Sequence, residues 1–221
     1  RDVERIVREE SEIFGEYPIA CLSEEIETPG EGQILALVTV AGNPVLSSPN
    51  GNRLDEALAS LECMVSLDIY LNETSRHAHV ILPGNSPLEG FHYDMAFAQL
   101  AIQDHARFSP ALFPLPTGKQ HEWETVLRLL GIFTGMGPNA DTRALDDMVV
   151  MNLIHREVSL DTSVIHGRTP EDIAKALEPR RGPERMLDFM LRTGPYGEGF
   201  GANPNGLTLA VLEANPHGVN F

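Results

Sequence analysis

The feature that most constrains the fold is a strand–helix–strand pattern between residues 34 and 82. The segment Ile34–Val40 is almost continuously apolar, which predicts a buried strand covered on both faces. Apolar residues at helical spacing predict a helix over Arg53–Leu61, and two further strands are predicted over Cys63–Ile69 and Ala78–Leu82. Strands connected in this way lie parallel, with a right-handed crossover. The predicted fold class is therefore α/β, a partial Rossmann-like parallel βαβ sheet followed by a helical segment.

The rest of the chain predicts a division into three parts: an α/β part over residues 1–120, a helical part over 121–193 and a coil-rich tail over 194–221. Helices are predicted over residues 2–14, 18–27, 121–133 and 140–158, from Thr169, from Gly182 to Gly194, and over 207–214. A sheet of three strands has open edges. We therefore expect further N-terminal and C-terminal domains of the same chain to complete it.

The charge of the chain is strongly acidic, with 32 Asp and Glu against 16 Lys and Arg and a formal net charge of −16. Nucleic acids and anionic membrane surfaces are bound by clustered Lys and Arg, so the composition argues against both partners. No apolar segment reaches the roughly 18 residues of a membrane-spanning helix, so membrane insertion is not expected.

The chain has two cysteines, Cys21 and Cys63. Two thiols this far apart form neither a disulfide framework nor a metal or cluster motif. A reducing compartment, the cytoplasm, is the expected location. Both thiols are predicted to be buried and inert.

Polar residues follow two of the predicted strands at their carboxyl ends, which is where open parallel sheets bind ligands. Gly42, Asn43 and Pro44 come after the first strand, and Asp68 ends the second. The glycine permits close approach of a ligand to the backbone, and the asparagine offers both a donor and an acceptor. These residues are the candidate ligand-binding set.

Asp68 is a carboxylate in an otherwise apolar strand, so it needs a partner. One candidate is a guanine base, whose N1–H and exocyclic amine present two parallel donors to the two carboxylate oxygens. The alternatives are that Asp68 caps a loop or pairs with a cation such as Arg53 or Arg76.

A second constellation consists of histidines and an aspartate, His77, His79, His92 and Asp94. The first two, placed on a strand, would present both imidazoles on one face and could bind Zn²⁺ together with a water. This pattern supports a metallohydrolase as an alternative function. Structural or surface histidines are the simpler interpretation.

The stretch Val40–Pro83 resembles the molybdopterin-dinucleotide oxidoreductases, which include formate dehydrogenases and nitrate reductases. The resemblance is carried by Ala41–Pro44 after a strand, Leu67–Tyr70, the pair Glu73-Thr74 and Val80–Pro83, in that order and spacing. Each motif alone is weak, and the order of all four makes the match fairly specific. Two residues depart from the family pattern. His79 stands where the family has Asp, and Leu67 stands where Ser or Gln is usual.

The resemblance implies a bis-molybdopterin guanine dinucleotide cofactor with Mo or W in a longer parent chain. It places Gly42, Asn43 and Pro44 at the dinucleotide and Asp68 on the guanine edge, with a further guanosine contact from Glu122, which precedes Trp123. A small-molecule substrate and an electron carrier are the partners implied for the parent.

The chain lacks the cysteine cluster that would bind the iron–sulfur centre expected in the parent, and it offers no evident metal ligand. It is therefore expected to be an internal fragment that helps to bind the cofactor and is inactive by itself. The alternative is a relative of the same fold that has lost the cofactor and serves as an interaction module.

Overall fold

The structure, a computed structural model, describes residues 16–97 and 100–221. It divides into two units, residues 1–84 and 85–221. The helix predicted over residues 2–14 lies outside the described residues. None of the helices in the described part of the chain is long and apolar enough to cross a membrane.

The first unit is built around a parallel sheet of three strands in the order β1 (Ala36–Val40), β2 (Cys63–Leu67) and β3 (Val80–Leu82). A 3-10 turn over Ile19–Cys21 leads into helix α1 (Leu22–Glu27), and α2 (Pro44–Ser47) and α3 (Gly51–Leu58) connect β1 to β2. The α/β fold class and the parallel βαβ unit predicted from the sequence are confirmed. The strands and α3 are each shorter than predicted.

One face of this sheet is covered and the other is exposed. The core on the covered face includes Leu54 and Leu58 of α3 with Met64 of β2, all at most 1% exposed. On the other face Val38 and Val80 are paired through β2 and are 38% and 49% exposed. The prediction that the first strand is covered on both faces is therefore wrong for the described part of the chain.

The same geometry separates the two cysteines. Cys21 is buried, as predicted, whereas Cys63 is exposed. Cys63 is the first residue of β2 and pairs with Ala36, on the face where the described helices do not pack. The prediction of a buried Cys63 is wrong because the apolar segment did not reveal which face would be covered.

The second unit is mainly helical, and its principal helices lie where the sequence predicts them. Its elements are β4 (His92–Tyr93), β5 (His105–Ala106), β6 (Phe108–Ser109), α4 (Glu122–Phe133), α5 (Thr142–Val158), α6 (Pro170–Ala176), α7 (Gly182–Thr193), α8 (Leu209–Ala214) and β7 (Val219–Asn220). β4 pairs with β6 and β5 pairs with β7, both antiparallel. Strands of two residues show no apolar alternation, so the sequence did not predict them.

Two apolar clusters and a buried ion pair stabilise this unit. Val150 and Ile154 of α5 pack in one cluster with Phe189 of α7, each at most 2% exposed. Arg185 of α7 donates to the Asp146 carboxylate of α5 at 2.7 Å, and both side chains are almost fully buried. The two long helices are thus joined by both apolar and charged contacts.

The division between the two units falls near residue 84. Residues 92–109 supply β4, β5 and β6, and β5 pairs with β7 at the other end of the unit. Packing therefore joins the segment after Gly84 to the helices. The predicted domain boundaries at residues 120 and 193 stay a prediction.

Candidate functional site

The candidate site lies where β1 and β2 end side by side. The backbone N–H of Ala41, just after β1, donates to Leu67 O at 2.8 Å, and that of Asp68, just after β2, donates to Leu82 O at 3.2 Å. Ala41 takes a left-handed conformation with φ 49°, which turns the chain sharply out of the sheet. The loops that carry Asn43 and Asp68 thus leave neighbouring strands at the same edge.

Asn43 is held in place by the Glu-Thr pair on the other loop. Its Nδ2 donates to Glu73 Oε2 at 2.8 Å, and its Oδ1 accepts from Thr74 Oγ1 at 2.7 Å. The hydroxyl of Thr74 also accepts from the backbone N–H of Val45 at 3.1 Å, and Thr74 is fully buried. The hydrogen bond from Asn43 is the largest influence that lowers the pKa of Glu73. One side chain therefore joins the two loops and leaves the second amide hydrogen of Asn43 available.

The backbone just after β1 offers donors. The N–H groups of Gly42 and Asn43 make no hydrogen bond within residues 16–97 and 100–221. Pro44 follows as the first residue of α2 and has no N–H to offer. A ligand at this edge would meet two adjacent backbone donors on a partly exposed turn.

The carboxylate of Asp68 caps its own loop. Oδ1 accepts from the backbone N–H of Tyr70 and Oδ2 from the amide of Asn72, both at 2.9 Å. The predicted alternative of a loop cap is confirmed, and an ion pair with Arg53 or Arg76 is wrong. Each carboxylate oxygen has a further lone pair that these bonds leave unused.

The two arginines that were candidate partners of Asp68 are held by other acids. Arg53 donates to Glu24 at 3.0 Å and to Glu27 at 2.7 Å, and Arg76 pairs with Asp55. The carboxylate of Asp68 therefore faces the polar groups of its loop rather than a guanidinium group.

The loop after Asp68 is cross-linked internally and exposes apolar side chains at its tip. Asn72 Oδ1 accepts from the N–H groups of Thr74 and Ser75, and Ser75 Oγ donates to Tyr70 O at 3.0 Å. The side chains of Ile69, Tyr70 and Leu71 are 47%, 71% and 75% exposed. The cross-links made by Asn72 and Ser75 were not predicted, although Asn, Thr and Ser after a strand-ending Asp are typical of side-chain-capped turns.

Glu122 is the first residue of α4, and its Oε1 accepts from the backbone N–H of Asn85 at 3.1 Å. Both residues belong to the second unit. A common site of Glu122 with Asn43 and Asp68 stays a prediction.

The histidines do not form the zinc site that the spacing allowed. His77 lies in a 3-10 turn with Nε2 2.6 Å from Asp55, and the ring of His79 accepts from a backbone N–H of β2. Both residues precede β3, so the predicted placement on a strand is wrong. Across residues 16–97 and 100–221, no group of three or more His, Cys, Asp or Glu could hold a metal ion. The described residues therefore give the metallohydrolase no support.

Comparison with known proteins gives the same family as the sequence motifs. Residues 12–130 match the family model of molybdopterin oxidoreductases. The chain is 31% identical over 106 residues to the assimilatory nitrate reductase catalytic subunit of Bacillus subtilis, covering 48% of this chain and 14% of that protein. It is 37% identical over 54 residues to the F420-dependent formate dehydrogenase 1 subunit alpha of Methanococcus maripaludis, covering 24% of this chain and 8% of that protein. The chain thus matches only a small part of each relative's length.

Proposed function

The chain belongs to the molybdopterin oxidoreductase family, and from this membership we propose that its first unit helps to bind the guanine dinucleotide end of a molybdenum or tungsten cofactor. The observation that carries the proposal is the set of groups at one sheet edge. Two adjacent backbone donors and a fixed asparagine follow β1, and a carboxylate with unused lone pairs follows the neighbouring strand β2 at the same edge.

The donor set fits the chemistry of a nucleotide. The backbone N–H groups of Gly42 and Asn43 can donate to phosphate oxygens, and the free amide hydrogen of Asn43 adds a third donor. Asp68 can accept from the N1–H and the exocyclic amine of guanine with the lone pairs that the loop leaves unused. Pro44 fixes the direction in which the chain leaves this turn.

When bound, the cofactor supplies two-electron redox chemistry at its metal. The residues of this chain bind and orient the nucleotide tail, and none of them is proposed as a metal ligand. The parent protein is proposed to act as an oxidoreductase with a small-molecule substrate and an electron carrier. Its metal ligand and the ligands of its iron–sulfur cluster would come from other segments, so this chain alone would be inactive.

The test measures molybdenum and acid-released guanine nucleotide in the purified full-length protein. The variants are Asn43→Ala and, as a matched control, Asn52→Ala, because Asn52 is exposed on α3. We expect the first to lower the nucleotide content per protein about tenfold, as the loss of a fixed polar contact of about 1.4 kcal/mol predicts. The control should leave it unchanged. Equal nucleotide content in both variants would refute the proposed role of Asn43.

A second candidate, a cofactor-free interaction module, is favoured by the exposed apolar face of the sheet. Val38, Val40 and Val80 are 38%, 58% and 49% exposed there, which suits a protein-facing surface. The same measurement separates the two functions. Wild-type protein that contains neither molybdenum nor guanine nucleotide, after expression with both in supply, would support the interaction module.

A further inference from the structure

The second unit contains a cavity of about 320 Å³ that the proposed cofactor site does not use. Its floor is part of an apolar core, formed by Ala106, Leu187, Leu191 and Leu207, each at most 7% exposed. The volume is at the lower end of the range for small-molecule sites. A floor of this kind gives a ligand apolar contact and no hydrogen-bonding partner.

Aromatic rings line the walls of the cavity. One ring is that of Tyr93, the second residue of β4. The other two are Tyr196 and Phe221, which stack with ring centroids 4.2 Å apart and an angle of 9° between the ring planes. Burial, followed by the charge of Asp94, raises the pKa of Tyr93, so its ring stays neutral. Neutral electron-rich rings attract cations with their faces.

The charged groups that line the cavity are acidic. Asp94 and Asp104 lie there with His105, and no Lys or Arg is among the described lining residues. The carboxylate of Asp104 accepts from the hydroxyl of Tyr196, and Asp94 Oδ1 accepts from the backbone N–H of Phe97 at 2.8 Å. Both carboxylates are therefore oriented by neighbours. An anionic ligand would be repelled here.

We propose that this cavity binds a small organic cation of the alkylated ammonium class. The carboxylates and rings favour positive charge, and the apolar floor favours alkyl groups, which carry no hydrogen-bonding hydrogens to be left unpaired. A metal ion does not fit, because none of the described residues forms a metal-binding group and the floor has no oxygen ligands.

The test compares two probes of nearly equal shape on the full-length protein, choline and its uncharged carbon isostere 3,3-dimethylbutan-1-ol. Isothermal titration gives the affinities, and saturation transfer to the methyl protons reports contact. We expect the neutral isostere to bind about tenfold more weakly, which lies between the contributions of an exposed and of a desolvated cation–π contact. Equal binding of the two probes, or no binding of choline, would overturn the proposal without any variant.

Three variants locate the contact. Asp104→Asn should weaken the binding of choline and leave the binding of the isostere unchanged. Tyr196→Leu should weaken the binding of choline more than Tyr196→Phe does, because the phenylalanine variant retains an aromatic ring. Asp161→Asn is the control, because Asp161 is 96% exposed and does not line the cavity. Thermal unfolding confirms that each variant is folded. Choline binding that is equally strong in Asp104→Asn and Asp161→Asn would refute the role of the carboxylate.

Discussion

Replacing Thr74 by valine tests whether the hydroxyl at this position joins the two loops of the candidate site. Valine has nearly the shape of threonine, so packing changes little, but it can neither donate to Asn43 Oδ1 nor accept from the N–H of Val45. Thr74 is fully buried, so water cannot take over the two hydrogen bonds that its hydroxyl makes. Two polar groups lose their partner in one substitution.

The expected cost follows from those two groups. A buried polar group without a partner costs about 1–3 kcal/mol, and both Asn43 and Val45 are only half buried, so we take about 1 kcal/mol for each. The sum of about 2 kcal/mol corresponds to a roughly thirtyfold larger equilibrium constant for opening of the first unit. Thr74→Ser keeps the hydroxyl and loses one methyl group, for about 1 kcal/mol, or roughly fivefold.

Hydrogen exchange followed by mass spectrometry measures this opening at the amide of Val45. Fluorescence of the single tryptophan does not serve, because Trp123 lies in the second unit. Peptides from α5 and α7 give the internal control, since their exchange should not change. The reasoning would be refuted if the Val45 amide of Thr74→Val exchanged at the wild-type rate. It would also be refuted if Thr74→Ser and Thr74→Val accelerated that exchange equally.

Three further outcomes follow from the same contacts. Arg185→Ala should lower the free energy of unfolding by about 3–5 kcal/mol in urea titrations, because it leaves the buried Asp146 carboxylate without a cation. Arg181→Ala, which removes a partly exposed ion pair with Asp147, should cost below about 1 kcal/mol. The hydrogen bond from Asn43 lowers the pKa of Glu73 in the folded protein below its ordinary value of 4.5. The ionised carboxylate therefore stabilises the fold fully above pH 4.5, and this stabilisation is lost as the pH falls through the lower pKa of the folded state. The stability difference between wild type and Glu73→Gln should therefore be largest near pH 7 and shrink in acid, as urea midpoints against pH would show. The exposed ring of Tyr70, on the loop that begins at Asp68, offers a stacking surface for the proposed guanine base. Tyr70→Ala should therefore lower the guanine nucleotide content, which Tyr70→Phe should retain, and should leave the urea midpoint unchanged because the side chain is 71% exposed.

The sequence predicted those parts of the fold that have a clear period. The apolar segments around Val38, Val65 and Ile81 gave the parallel strands, and the helical spacing over residues 121–158 gave α4 and α5. The carboxyl ends of the first two predicted strands placed Asn43 and Asp68 at one sheet edge, and the family resemblance implied a dinucleotide there. Local patterns determine these elements, so one sequence was sufficient.

Burial could not be predicted in the same way. An apolar strand has the same sequence whether one face or both faces are covered, and only the placement of α1 and α3 leaves Val38 and Cys63 exposed. The pairing of β5 with β7 joins residues more than 100 apart, 106 and 219, and no local pattern indicates it. Long-range contacts of this kind need the folded chain.

The two interpretations of Asp68 that the sequence left open are compatible with each other, and their contributions can be separated. The loop uses one lone pair on each carboxylate oxygen, through Tyr70 and Asn72, so the same group can stabilise the loop and accept from a base. Asp68→Ala removes both functions, whereas Asn72→Ala loosens the loop and leaves the carboxylate in place. A double-mutant cycle on nucleotide content then decides between them. If Asp68 acts through the loop alone, Asp68→Ala in the Asn72→Ala background costs no more than the loss of its cap on the Tyr70 N–H, which hydrogen exchange at that amide reports. If it also contacts the base, the loss of nucleotide exceeds the loop opening measured at Tyr70, and that excess measures the direct contact.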